Sequence, residues 1–281
     1  NGVKKFLYPS SCSVYGFNKK NNLLNENSKL DPKSTYAKAQ AELEKFALKQ
    51  GDENFSITIL RLPTVFGVSK RTRFDVIINA LVFDVLEKNK LTLLRDGKQR
   101  RPFVHVRDVA RAFIFFINNR NHNHNNQIFN IGDEENNINL LSLANKIFKL
   151  TNIKKNISWY GKKDDRSYFV SFKKIKKIGF KAKYNIDYGI KELTRAFLSN
   201  SLSREDNSIN IKWLQNLEIN KNLFQKNKPL KDLSKKILKD RIMYNEILNI
   251  NNSKKCLIFL GANRGKDINV AIECIEYLIK E

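Results

Sequence analysis

Apolar positions along this 281-residue chain fall into two alternating rhythms. Short apolar runs, rich in β-branched and aromatic residues, read as strands at Lys4–Pro9, Phe55–Leu60, Leu91–Leu94 and Gln127–Ile131, with Arg101–Val106 a short extended segment. Between them lie stretches of helical period, at roughly 36–50, Phe74–Asn89, Asp108–Asn118, Asn139–Leu150 and Ile186–Phe197. Ser34 or Thr35 can cap the first and Gly51 stops it; Lys173–Lys177 is a short helix ended by Gly179. Strands alternating with helices predict an α/β fold with a largely parallel sheet.

The rhythm changes after Phe197. Residues 199–228 are polar, with scattered apolar positions such as Trp213 and Leu214, and Leu230–Leu248 reads as a Lys-rich amphipathic helix. Cys256–Leu260 is an apolar strand, followed by a Gly261–Lys266 loop and a helix from Asp267. This divides the chain into a domain over 1–200, a linker with an amphipathic helix over 201–253, and the first strand-loop-helix of an incomplete second α/β domain over 254–281. The Gly261–Lys266 loop is not a phosphate loop. Three residues rather than four separate its glycines, and Asp267 follows Lys266 where Ser or Thr is needed.

Composition narrows the function classes. Lys and Arg number 52 against 28 acidic residues, a net charge of +24. The basic residues are spread along the chain, without zinc-finger spacing or an aromatic-glycine RNA-binding signature, so the expectation is no specific nucleic-acid binding but a field that favours anionic substrates. No apolar run reaches the length of a membrane span. Three distant cysteines, Cys12, Cys256 and Cys274, fit a reducing cytoplasm without a disulfide framework. His122 and His124 sit in an Asn-rich loop with no paired metal-ligand spacing, so no metal site is expected.

Candidate chemistry gathers between Phe6 and Gln40. A strand ends in Ser10 and Ser11, ligands of α/β sheets collect at strand C-termini, and a helix opens with Tyr36. A hydroxyl and a phenol can meet there over a substrate carbinol. Six segments then carry a resemblance: SSCSVYG, STYAKAQAE, LRLPTVFG, RPFVHVRDVARAF, FNIG and DDRSYFVSFKKIKKIGF. In this order they resemble the C-terminal two-thirds of the extended short-chain dehydrogenases/reductases, the nucleotide-sugar epimerase/dehydratase family. The implied fold is a Rossmann-like, largely parallel sheet lacking its N-terminal half, with a small substrate-binding α/β lobe. On the order of a hundred residues of the family fold, including its Gly-rich turn, would precede Phe6.

The resemblance implies that Ser11 and Tyr36 are catalytic, Tyr36 exchanging a proton with a sugar hydroxyl while hydride passes to or from NAD or NADP. It places Gln40, Pro63 and Thr64 at the cofactor, and Cys12, Ser13, Asn79, Arg101 and Arg166 at the nucleotide-sugar. The family carries a lysine four residues after the tyrosine, which lowers the phenol pKa; Gln40 stands there and brings no charge. Lys38, two residues along the helix, points elsewhere. The family's 4,6-dehydratases have an acidic residue in the pair that here is Cys12-Ser13, so an epimerase or reductase is expected. Gln40 also motivates a second reading, a sugar-nucleotide binder impaired in catalysis. His105 and Asp108 are expected to be structural. The intact protein is expected to be a homodimer, and residues 256–281 faintly resemble the opening of formyltransferase domains.

Overall fold

The computed structural model describes residues 4–16, 22–69, 71–119, 124–162, 167–202 and 256–258. Its elements in chain order are β1 (Lys5–Ser11), β2 (Leu23–Leu24), α1 (Thr35–Gln50), β3 (Ser56–Leu62), β4 (Thr64–Phe66), α2 (Ile77–Lys88), β5 (Leu91–Leu94), β6 (Arg100–His105) and α3 (Val106–Asn118). They continue as β7 (Gln127–Asn130), β8 (Asn137–Asn139), α4 (Leu140–Thr151), β9 (Ile157–Tyr160), β10 (Phe169–Val170), α5 (Lys173–Lys177), α6 (Ile186–Leu198) and β11 (Cys256–Ile258). The expected helix over Leu230–Leu248, the Gly261–Lys266 loop and the final helix lie outside the described residues.

The main sheet runs β11-β1-β3-β7, and every pair in it is parallel. β1 aligns with β3 from Lys5 opposite Ser56 to Ser11 opposite Leu62, so Ser11 stands beside the turn through Pro63 and Thr64. Burial explains the composition of β1: Phe6, Leu7, Tyr8 and Ser10 are each at most 2% exposed, as a strand covered on both faces requires. Pro9 lies inside β1, opposite Leu60. Among the described residues β11 pairs with β1 over Lys5 to Leu7, so the apolar run at 256–258 joins the main sheet.

Three smaller sheets build the lobe: β4-β6-β8, β10-β2 and β5-β9. The first is mixed, since β6 runs parallel to β4 and antiparallel to β8. One core packs α2, α4 and α6 around Phe66, Phe83, Phe103, Ile147 and Ile190. A second joins the sheet to α3 and the lobe through Leu7, Cys12, Phe116, Phe129 and Phe172. A third, smaller one seats α1 on the sheet through Phe6, Tyr8, Leu43 and Ile59. Among the described residues no helix is long and apolar enough to cross a membrane.

The histidine and aspartate of the RPFVHVRD segment are structural, as expected. His105 is fully buried, and its Nδ1 accepts from the Arg107 amide at 3.2 Å. That acceptor role leaves the proton on Nε2, which donates to Glu192 on α6 at 3.0 Å. Asp108, also fully buried, accepts from the backbone amides of Lys183 and Tyr184 and clamps the loop leading into α6.

Candidate active site

Ser11 closes β1 and caps the short 3-10 turn over Cys12–Tyr15. Its Oγ accepts from the Ser13 amide at 3.2 Å and from the Ser13 hydroxyl at 2.9 Å. Tyr36 lies in the first turn of α1. Ser34 fixes where that helix starts, its hydroxyl accepting from the Ala37 amide at 3.1 Å. The Ser11 hydroxyl lies near enough to the Tyr36 phenol to hold its pKa down. Two residues that are distant in sequence thus meet at the C-terminal end of a parallel strand, where α/β sheets bind ligands.

Burial pushes the Tyr36 phenol above its ordinary pKa. Ser11 and the positive charge of Arg73 oppose that rise, and neighbouring Cys12 adds to it. The net direction is upward, so the resting phenol is neutral and ready to donate a proton. Arg73 is an addition to the expected site. It lies ahead of α2, is half-exposed, and grips Asp75 through two contacts of 2.9 Å. It supplies some of the cationic influence missing at Gln40, diminished by its exposure and its ion pair. Lys38 is exposed, as its spacing implied.

Gln40 is fully buried, one turn after Tyr36. Its Oε1 accepts from the Tyr8 hydroxyl at 2.6 Å, and its Nε2 has no partner among the described residues. Tyr8 also faces Tyr36 and Glu44 electrostatically, and burial pushes its own phenol far up. Under this layer runs a network that fixes α1 to the sheet. Glu44 accepts from Ser10 and binds Arg61 through Nε at 2.9 Å and Nη2 at 2.7 Å. Arg61 Nη1 reaches the Tyr15 hydroxyl at 2.9 Å, and Tyr15 donates to Asn130 Oδ1 at 2.8 Å.

Two expected substrate contacts are instead packing and pinning groups. Cys12 is fully buried; its thiol approaches the Arg61 carbonyl at 3.5 Å, and burial pushes its pKa well above the ordinary thiol value. Such a thiol is a small core side chain, not a nucleophile. Asn79 is 2% exposed with both amide ends engaged, Oδ1 accepting from Gly67 N and Nδ2 donating to the Arg73 carbonyl. It holds the loop that carries Arg73.

Ser13, Thr64 and Arg101 are each partly exposed, while Pro63 is buried between β3 and β4. The Arg101 guanidinium sits 5.5 Å over the Tyr168 ring. Tyr168 in turn interacts electrostatically with Cys12 and Tyr36. Arg166 and His122 lie outside the described residues. Among the described residues no His/Cys/Asp/Glu cluster could hold a metal ion.

Residues 1–132 match the model of the NAD dependent epimerase/dehydratase family. Among curated proteins, the chain is 31% identical over 113 residues to a Bacillus subtilis protein described as the uncharacterized UDP-glucose epimerase YtcB, a match covering 40% of this chain and 34% of that protein. Among solved structures, MoeE5 in complex with UDP-glucuronic acid and NAD superposes with a TM-score of 0.63 at 25% identity, covering 72% of this chain and 67% of that one. The UDP-glucose 4-epimerase of Thermotoga maritima, solved with UDP-glucose, shares the fold at a TM-score of 0.63 and 24% identity, covering 72% and 65%. The chain therefore spans about a third of the Bacillus relative and about two-thirds of these structural neighbours.

Proposed function

Because residues 1–132 match the model of the NAD dependent epimerase/dehydratase family, we propose that this chain serves an NAD(P)-dependent nucleotide-sugar epimerase or reductase in which Tyr36 is the general acid/base. The observation that carries this reading is that Ser11 at the end of β1 and Tyr36 in the first turn of α1 act on each other across the sheet end. Tyr36 would exchange its proton with a sugar hydroxyl oxygen, and Ser11 would share that oxygen. Bound NAD or NADP would supply the hydride acceptor or donor.

The cofactor reading is supported by the buried, unpartnered Nε2 of Gln40, an amide donor suited to a nicotinamide-ribose hydroxyl. Gln40, Pro63 and Thr64 are the residues that would hold this end of the cofactor. Arg101 fits the substrate's phosphates through its planar fork, with Arg166 as the second candidate. The absence of an acid in the Cys12-Ser13 pair favours epimerisation or reduction over 4,6-elimination. In the same reading the intact protein is a cytoplasmic homodimer. Residues 1–200 form its epimerase unit and 201–253 are a linker; within 254–281, expected to open a further α/β unit of formyltransferase type, Cys256–Ile258 instead pairs with β1 of the epimerase sheet.

The test is Tyr36→Phe in the intact protein, which should cut nucleotide-sugar conversion by about 10²–10⁴-fold while leaving NAD(H) binding in place. Calorimetry showing no NAD(H) binding to the intact wild-type protein would overturn the proposal. A second reading, a sugar-nucleotide binder with little turnover, rests on the neutral Gln40 at the position where the phenol would otherwise gain a cation. This chain alone would then bind weakly and turn nothing over.

A further inference from the structure

Tyr8, in the middle of β1, and Gln40, one turn after Tyr36 on α1, are both fully buried. The Tyr8 ring packs in one cluster with Phe6, Leu43 and Ile59, which fixes where its hydroxyl sits. That hydroxyl meets Gln40 Oε1 at 2.6 Å and has no other hydrogen-bond partner among the described residues. Gln40 Nε2, on the other arm of the amide, is buried and has none.

A buried amide can be turned either way, and counting donors and acceptors decides which way this one stands. As it stands, Tyr8 donates its one proton to Oε1, and only Nε2 is left over. Turned over, Nε2 would donate to the Tyr8 oxygen. The Tyr8 proton would then lack an acceptor and Oε1 a donor, two buried groups stranded in place of one.

We propose that Tyr8 is a positioning residue: by occupying Oε1 it locks the Gln40 amide with Nε2 as its free arm, so that Gln40 presents donors and no acceptor to the nicotinamide ribose of NAD or NADP. An unrestrained glutamine offers a hydroxyl either a donor or an acceptor. With Oε1 taken, a ribose hydroxyl oxygen must accept from Gln40, and its own proton is left for another group. A buried donor without a partner is costly, so the empty Nε2 favours a ligand that brings an acceptor. The amide is also ordered before the cofactor arrives, which lowers the entropy lost on binding.

The direction of Nε2 towards the ribose rests on the cofactor reading; the lock between Tyr8 and Gln40 rests on the contact itself, and the two are tested apart. In the full chain, glutamine isotope-labelled at the side-chain carbonyl reports the lock by magnetic resonance without any cofactor. The Gln40 signal is the one missing from Gln40→Leu. Tyr8→Phe keeps the ring and removes the donor, so the Gln40 carbonyl resonance should move upfield. A carbonyl resonance that stays in place overturns the proposal.

In the intact protein, NAD(H) affinity measured by calorimetry should fall about three- to tenfold in Tyr8→Phe, the range of one hydrogen bond. The comparison is made at a temperature where circular dichroism matches the parent. Gln40→Leu should lose at least as much, and adding Tyr8→Phe to it should cost nothing further. Of two NAD analogues, each lacking one nicotinamide-ribose hydroxyl, one should bind Tyr8→Phe and the parent alike, an outcome that a purely structural role for Tyr8 would not give. Full affinity in Tyr8→Phe, or a loss that persists with both analogues and in Gln40→Leu, overturns the proposal. A wild-type protein that binds no NAD(H) overturns the cofactor reading, and the carbonyl resonance still decides the lock.

Discussion

Arg61 on β3 reaches across to Glu44 on α1, with Nη2 2.7 Å from Oε2 and both side chains 3% exposed. Because Glu44 lies on the helix that opens with Tyr36, this pair sets where the phenol sits above the end of β1. A buried pair is costly to break, since the survivor keeps its charge without its partner. Glu44→Ala should therefore destabilise the chain by about 3–5 kcal/mol, read as a lower midpoint in urea. Glu44→Gln, which keeps the shape, should lose less.

Gln40→Lys asks directly what the missing charge is worth. An ammonium one turn from Tyr36 favours the phenolate, so the Tyr36 midpoint should fall by about one unit or more. The alkaline limb of any activity should move to lower pH with it. A gain in turnover of more than about tenfold in the intact protein would favour the binder reading. Unchanged or reduced turnover would mark a site adapted to the amide.

Tyr8→Phe removes the only partner of the Gln40 amide among the described residues. A buried polar group left unsatisfied costs about 1–3 kcal/mol. The loss should appear in equilibrium unfolding, and Tyr8→Phe combined with Gln40→Leu should recover part of it, because then neither partner is left orphaned.

Acid should weaken this fold before most of its carboxylates titrate. Burial holds the imidazoles of His105 and His124 below their ordinary pKa, against the pull of Glu192 on the first and helped by the charge of Lys5 on the second. The folded chain thus takes up these protons less readily than the unfolded chain. Their contribution to stability is fully present above about pH 6.5 and is lost as pH falls towards the folded values. Denaturation at pH 7.5 and 5.5 should show the drop, and His105→Gln should reduce it.

Much of this architecture was legible in the chain. The strand–helix alternation gave α1, α2, α3, α4 and α6 to within a few residues, because each carries an apolar stripe of helical period and a polar cap or stop. β8 was not legible. Asn137-Ile138-Asn139 has no strand character of its own and is extended because it pairs with Arg100–Pro102. β2 is likewise a two-residue strand made by its pairing with β10. At the site, Ser11 and Tyr36 could be read from their positions at a strand end and a helix start. The roles of Tyr8, Arg73 and Tyr168 could not, because they arise from contacts between residues far apart in the chain. Cys12 and Asn79 misled for a related reason. Cys12 lies between Ser11 and Ser13 in sequence and Asn79 follows the loop that carries Arg73, but each side chain turns into the interior.

Pro9 has a consequence for how β1 meets other strands. The Ser56 amide donates to the Lys4 carbonyl, so Lys4, Phe6, Tyr8 and Ser10 direct their backbone groups towards β3. Lys5, Leu7, Pro9 and Ser11 therefore direct theirs to the other side, where β11 pairs as far as Leu7. Pro9 has no N–H to offer there, so its ring costs the β3 ladder nothing while interrupting any ladder that would continue along the opposite side. The proline acts as a stop for strand addition. A strand added on that side would lose the ladder bond at Pro9, so the stretch leading to Ser11 is a poorer template for a neighbour than Lys5–Leu7.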